Sequence, residues 1–312
     1  MRRHTVACLA GDGLGPELMA EATRTLRKVA RMHGFAIEEV HVPFGSEALT
    51  RSGHPLPPAT RSAVLAADAV LVAAGGPSLG DVLGDVRSEL DLRASATHVL
   101  WRRGAFTLVS PEPGEPPGWA VGRAIELAEQ RRGLLVAVDH DATWAALVDE
   151  AADRRHALAV EHLSLADTMH ALAFRPESLD VVASSGPVAP ALEELAAGTD
   201  GDRRVVARGR LAGNGPSVFA PGQAESHEHA GHGVADPAPM LLAASLMLGE
   251  GLGERHAAAT LSAALRDARS SRRPVAAVRR TLSASTRDLS DTVVRLLPSS
   301  HRNAEFLNEA TG

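Results

Sequence analysis

The sequence predicts an open α/β sheet, largely parallel, with helices on both faces. Two observations carry that prediction. Short apolar runs alternate with stretches of helical periodicity, the βαβα rhythm of a parallel sheet. Several of those runs end in glycine or ionisable residues, as strands do where they deliver groups to a ligand beyond their carboxyl ends.

Taken in order, TVACLA (5–10) reads as a buried strand and GDGLG as a loop. Pro16 then opens a helix at a position where its missing N–H costs nothing. Leu18, Met19, Ala22, Leu26 and Val29 repeat at helical spacing. AIEEVHVPF (36–44) alternates as a strand does, PPATRSAVLAA (57–67) is a short helix, and DAVLVAA (68–74) is a strand running into Gly75 and Gly76. A helix over 120–132 leads into LLVAVD, a second over 142–154 into ALAVEHL, and a third into LDVVASSG. SPEPGEPPG (110–118) reads as a proline-rich surface loop, and GTDGDRR (198–204) as a second loop and a domain crossing. MLLAASLMLGEGLG (240–253) is too short to span a bilayer and reads as a buried or subunit-interface helix. The polar tail from 299 is expected to be mobile.

Composition narrows the function. The chain has 312 residues, 45% apolar and 22% charged, enough for one large domain or two ordinary ones. A net charge of −6 argues against nucleic acid, whose phosphates want a basic face. No apolar run is long enough for a membrane span, so no membrane partner and a cytoplasmic location are expected. The single cysteine, Cys8, excludes a disulfide framework within the chain and a cysteine-rich metal site. Tyrosine is absent and Lys28 is the sole lysine, so no tyrosine or second lysine is available for proton transfer.

Each candidate for chemistry has a plain alternative. Asp12, Gly75, Gly76 and His140 would lie at strand ends. GDGLGPE (11–17) sets glycines before a helix N-terminus, an arrangement that holds an anion or simply makes a tight turn. HEHAGH (227–232) is either a zinc or nickel site or a polar loop. Asp139, Asp141, Asp167, Glu193 and Glu194 supply a Mg²⁺ site if they converge, and solvated faces if they do not. Glu193 and Glu194 are adjacent on one helix, about 100° apart, so at most one faces a site. His140 is a general base or a surface residue.

Together GDGLGPELMAEA (11–22), HPLPPATRSAVLAADAVLVAAGGP (54–77), RSELDL (87–92), VAVDHD (136–141), AVEHLSLADTMHALAFRPESLDVV (159–182), FAPGQAESHEHAGHGVADP (219–237) and TRDLSDTV (286–293) resemble the isopropylmalate/isocitrate dehydrogenase family, the β-decarboxylating dehydrogenases. The resemblance implies an open sheet in two domains, the first discontinuous: 1–96 plus 203–312, with 97–202 as a smaller central domain carrying dimer contacts. It implies a homodimer, or a hetero-oligomer with an intact homologue, and the apolar segment 240–253 fits a shared interface. It also implies oxidation of a 2-hydroxy acid bearing a β-carboxylate by NAD or NADP, followed by decarboxylation. Mg²⁺ or Mn²⁺ is then the Lewis acid, a lysine and a tyrosine handle protons, and three arginines grip the carboxylates.

Carried over by position, the pattern departs from the family. His140 stands where the catalytic lysine belongs, and the tyrosine falls in a segment shortened around 110–120. Arg87 keeps the first substrate arginine, while the second falls at Thr97 and the third at Ser110. The metal carboxylates fall at Ala166 beside Asp167, at Pro190, and at Glu194. On the cofactor side Gly75 and Gly76 are kept, Glu228 takes the ribose-binding place and favours NAD over NADP, and Asp236 replaces an asparagine that contacts adenine. His227, His229 and His232 replace proline, isoleucine and lysine of that loop. The resulting expectation is a divergent member whose ancestral reaction is lost or strongly impaired. The alternatives are an active dehydrogenase on an unusual 2-hydroxy acid, or a non-catalytic regulatory subunit or small-molecule-binding protein.

Overall fold

The computed structural model describes residues 1–73, 86–139, 141–153, 155, 157–198, 204–222, 230–271 and 285–298. Its strands are β1 (Arg2–Leu9), β2 (Phe35–His41), β3 (Ala69–Val72), β4 (Leu92–Trp101), β5 (Gly104–Pro111), β6 (Leu134–Asp139), β7 (Ala159–Ser164), β8 (Val181–Ala183), β9 (Val205–Ala212) and β10 (Ser217–Pro221). The helices are α1 (Gly15–His33), α2 (Ser46–Ser52), α3 (Pro58–Ala66), α4 (Pro117–Glu129), α5 (Ala142–Ala152), α6 (Leu165–Phe174), α7 (Ala189–Gly198), α8 (Ala238–Leu246), α9 (Arg255–Ser271) and α10 (Thr286–Leu296). All ten strands form one sheet in the order β2-β1-β3-β10-β9-β4-β5-β8-β6-β7.

Six of the nine pairings are parallel, as the βα rhythm predicts. The three at the centre, β10–β9, β9–β4 and β4–β5, are antiparallel. The β4–β5 hairpin turns tightly at Arg102 and Arg103, and its strands are not among the elements predicted from periodicity. Apolar and small polar residues are mixed along β4, so neither helical nor alternating spacing stands out there.

Alternation along the central strands sends side chains to two cores. Ala94, Ala96, Leu100, Val109, Val205 and Ala207 join the larger one. Val99, Phe106, Leu108, Val182 and Val206 face the other way, into a smaller core shared with α6 and α7. α1, α8, α9 and α10 pack together over the first face.

One expectation is narrowed and another is corrected. The segment 240–253 forms α8 and a π-helical turn, Met247–Gly251. Every residue of α8 is buried inside its own chain, against β9, β10 and α9, which bears out the buried-helix alternative for that segment. The loop 110–118 is not simply surface: Ser110 ends the buried run of β5, and Glu112 is only 3% exposed. Residues 199–203 and the tail from 299 lie outside the described residues. No described helix is long and apolar enough to cross a membrane.

Gly209 shows how closely the centre is packed. A Cβ there would stand 3.1 Å from Phe219 and 3.3 Å from Leu246. The missing side chain lets β9 lie against α8, while its neighbours Arg208 and Arg210 point to the opposite face.

Candidate functional site

That opposite face carries a polar patch at one end. Thr97 of β4 lies directly opposite Arg208 of β9, and Ser95 lies opposite both Arg210 of β9 and Ser110 of β5. Opposed residues in an antiparallel ladder share a face, so the five side chains form one surface. Ser184, just past β8, donates its backbone N–H to the Val109 carbonyl at 3.0 Å, which sets it beside Ser110. α7 follows at once and packs over β4 and β5, bringing Glu193 and Glu194 above the patch.

Three buried polar atoms in this region have no hydrogen-bond partner among the described residues, Ser184 Oγ, Ser185 Oγ and Arg208 Nε, while the Thr97 hydroxyl faces the Glu193 carboxyl. Each such atom costs about 1–3 kcal/mol when shut from water, so the three together leave polar capacity unmet on this side of the sheet. Arg208 donates to Glu194 at 3.1 Å, although the Glu194 side chain is 77% exposed. Arg210 and Arg87 stand 3.8 and 3.7 Å from the two oxygens of Glu112, beyond hydrogen-bond reach. Arg87 also donates to the Pro113 carbonyl. Of the adjacent pair on α7, Glu193 is the half-buried one. Burial pushes its carboxyl up from the ordinary value, Arg208 and Thr97 pull it down, and Glu112 and Glu194 push it up again.

The other candidate residues are dispersed. Asp167 opens α6, where Ser164 Oγ accepts from its N–H and donates to its carboxylate at 2.6 Å. Asp141 caps α5 by accepting from the Trp144 N–H at 2.8 Å, and Asp12 caps α2 through Ser46. Asp236 accepts from the Ala238 N–H and from Arg269, both at 2.9 Å. Lys28 sits in α1 and donates to the Val294 carbonyl. His140, Gly75, Gly76, Glu225, His227, Glu228 and His229 lie outside the described residues.

Asp139, at the end of β6, meets His162 Nδ1 at 2.9 Å, and Asp149 meets Nε2 at 2.9 Å. Only the doubly protonated ring donates at both nitrogens, and the Asp139 bond followed by the Asp149 bond raises the His162 pKa. The stabilisation is therefore complete below the ordinary value of 6.5 and is lost as pH rises through the raised value. His162→Asn is expected to lower stability by up to ~1 kcal/mol at pH 6 and by less at pH 8.5, read by urea unfolding.

Among the described residues, no group of three or more His, Cys, Asp or Glu side chains converges to hold a metal ion. Asp167 and Glu194 are spent on different partners, Ser164 and Arg208. The described donor set does not fit the divalent cation that the resemblance implies.

Residues 5–98 match the family described as isocitrate/isopropylmalate dehydrogenase. The 3-isopropylmalate dehydrogenase of Synechococcus sp. (strain CC9605) is 30% identical, over 85% of this chain and 90% of that protein. The chain belongs to the isocitrate/isopropylmalate dehydrogenase family. The 3-isopropylmalate dehydrogenase of Salinibacter ruber is 28% identical, over 82% of this chain and 85% of its own length. The fold is shared with a β-decarboxylating dehydrogenase from Thermococcus kodakarensis in its apo form, with a TM-score of 0.75 at 22% identity, over 95% of this chain and 96% of that one. It is shared too with the isocitrate dehydrogenase of Methylococcus capsulatus, with a TM-score of 0.71 at 19% identity, over 96% of this chain and all of the other.

Within this isocitrate/isopropylmalate dehydrogenase frame, sequence reasoning missed Arg208, Arg210, Glu112, Ser184 and Ser185. A signal was present in VVARGRLA (205–212), where two arginines two apart must share one face of a buried strand.

Proposed function

We propose that the chain binds a small organic anion in its inherited cleft, with the ancestral NAD- and metal-dependent oxidative decarboxylation of a 2-hydroxy acid lost or strongly impaired. One observation carries this reading. The positions where the resemblance expects the second and third substrate arginines, Thr97 and Ser110, are in ladder register with Arg208 and, through Ser95, Arg210. Two guanidiniums thus stand one and two strands away from the expected places, on the same face of the sheet. Guanidinium is the cation best shaped for bidentate carboxylate recognition, and the Ser184 hydroxyl, without a partner among the described residues, supplies a further donor.

On the proton-transfer side neither family residue is kept. Lysine is confined to α1 and tyrosine is absent. One observation favours a second reading, an active enzyme on an unusual 2-hydroxy acid. Glu193 is half-buried, its pKa is raised, and it faces Thr97 and Arg208, as a general base would.

NAD enters this reading through Glu228 and Asp236, by resemblance. Self-association enters through α6 and the edge strand β7. Phe174 is 72% and Met169 39% exposed on α6, which supports a homodimer there, with an intact homologue as the alternative partner.

Thermal unfolding tests the reading. Malonate is expected to raise the midpoint, and 1,3-diaminopropane, of similar length and opposite charge, is not. NAD, NADP and Mn²⁺ are scanned separately. No stabilisation by malonate or by any 2-hydroxy acid would overturn the proposal.

A further inference from the structure

A second cleft, of about 510 Å³, opens on the other side of the sheet. Its floor includes His98, the neighbour of Thr97 on β4, which points the opposite way and pairs with Thr107 at 2.8 Å. One wall comes from the end of α4 and the approach to β8, the other from α8, α9 and the turn between them. The cleft thus lies between the central segment and the C-terminal segment that the resemblance assigns to different domains. Its volume is that of a small-molecule site.

The polar inventory of this cleft is unbalanced around Arg131. Its carboxylate neighbour Asp180 is 3.9 Å away, beyond hydrogen-bond reach, because Asp180 accepts from the Arg132 backbone N–H at 2.9 Å. The other nearby carboxylate, Glu250, is taken by Arg123 at 2.8 Å. The guanidinium of Arg131, whose side chain is 24% exposed, makes no hydrogen bond to a described group, and the residue lines the cleft. Burial pulls its pKa down against the pull of Glu250 and Asp180, but an arginine stays charged. Arg103, Arg132 and Arg255 add positive charge at the walls, against Glu177, Asp180 and Glu250. Trp101, Leu127, Leu179 and Leu246 line the same cleft with apolar surface.

We propose that this cleft is a second ligand site, separate from the inherited one, for an organic anion with one acidic group at Arg131 and an apolar body against Trp101, Leu127 and Leu246. A ligand there would tie α8 and α9 to the end of α4, where the Arg123–Glu250 ion pair already joins them.

Hexanoate and hexylammonium, of matched length and opposite charge, are the probes, followed by ligand-observed NMR titration of the full chain. Hexanoate is expected to bind saturably, at about millimolar affinity for so small a ligand, and hexylammonium is not. Arg131→Gln is expected to weaken hexanoate ~10-fold or more. Ala259→Phe, at an exposed α9 position lining the cleft, does so by filling it and leaves the buried charges untouched. Arg208→Gln/Arg210→Gln leaves hexanoate binding unchanged. The proposal is overturned by equal binding of the two probes, by no saturable binding of hexanoate, by indifference to Ala259→Phe, or by loss in the Arg208→Gln/Arg210→Gln variant.

Discussion

Supplied with 3-isopropylmalate, isocitrate or tartrate, Mn²⁺ and NAD, the purified protein is expected to form NADH at least ~10⁴-fold more slowly than a relative that keeps the lysine and the tyrosine. Removing one positioned general acid or base costs ~10²–10⁴ in rate. Here two are missing: no tyrosine exists in the chain, and Lys28 is committed to the Val294 carbonyl. Of the expected metal positions only one keeps a carboxylate, Glu194, which is engaged by Arg208, and Asp167 beside another is engaged by Ser164, which compounds the loss without adding to it linearly. His140→Lys alone is therefore not expected to rescue turnover. Steady NADH formation with any of the three substrates would contradict the loss of the ancestral reaction and favour Glu193 as a working base.

The second large effect is acid lability. His98 is buried beneath the second cleft, and burial, then the charge of Arg131, pushes its pKa down from 6.5 to about 3. Below pH 6.5 the unfolded chain takes up a proton that the folded chain refuses, so stability falls as pH falls towards the folded value. The contribution is complete above pH 6.5. Between pH 7 and pH 5 this one group is expected to remove about 2 kcal/mol of stability. Urea unfolding at pH 5, 6, 7 and 8 reads it, and His98→Gln is expected to flatten the slope by that amount. His162 slopes the opposite way and lies far more in solvent, so it cannot mask the effect. An unchanged slope in His98→Gln would show that His98 is not held neutral.

Much of the architecture was legible because it is local. Periodicity marks β1, α1, α3, β3 and the run from α4 to β8, each carrying its pattern within a dozen or so residues. The antiparallel centre was not, since β4 and β9 meet across more than 100 residues and their register is a property of the folded sheet. The same reason hid the arginines of β9. Position-by-position comparison asks what stands at Thr97 and Ser110, and finds two hydroxyls. Only the ladder shows that Arg208 lies beside the first and Arg210 two strands from the second. Glu112 was masked by its prolines, which read as surface loop although the carboxylate is buried between Arg87 and Arg210. The interior place of α8 follows from its all-round apolar surface, which suits a buried helix as well as an interface one.

The central claim, that the arginines of β9 make an anion site in the inherited cleft, is tested most directly by calorimetric titration of malonate into the wild-type protein and into Arg208→Gln/Arg210→Gln. The account predicts saturable binding to the wild type and a loss of ~10-fold or more in the variant, with folding intact by circular dichroism. Malonate binding of equal strength to both proteins would contradict it.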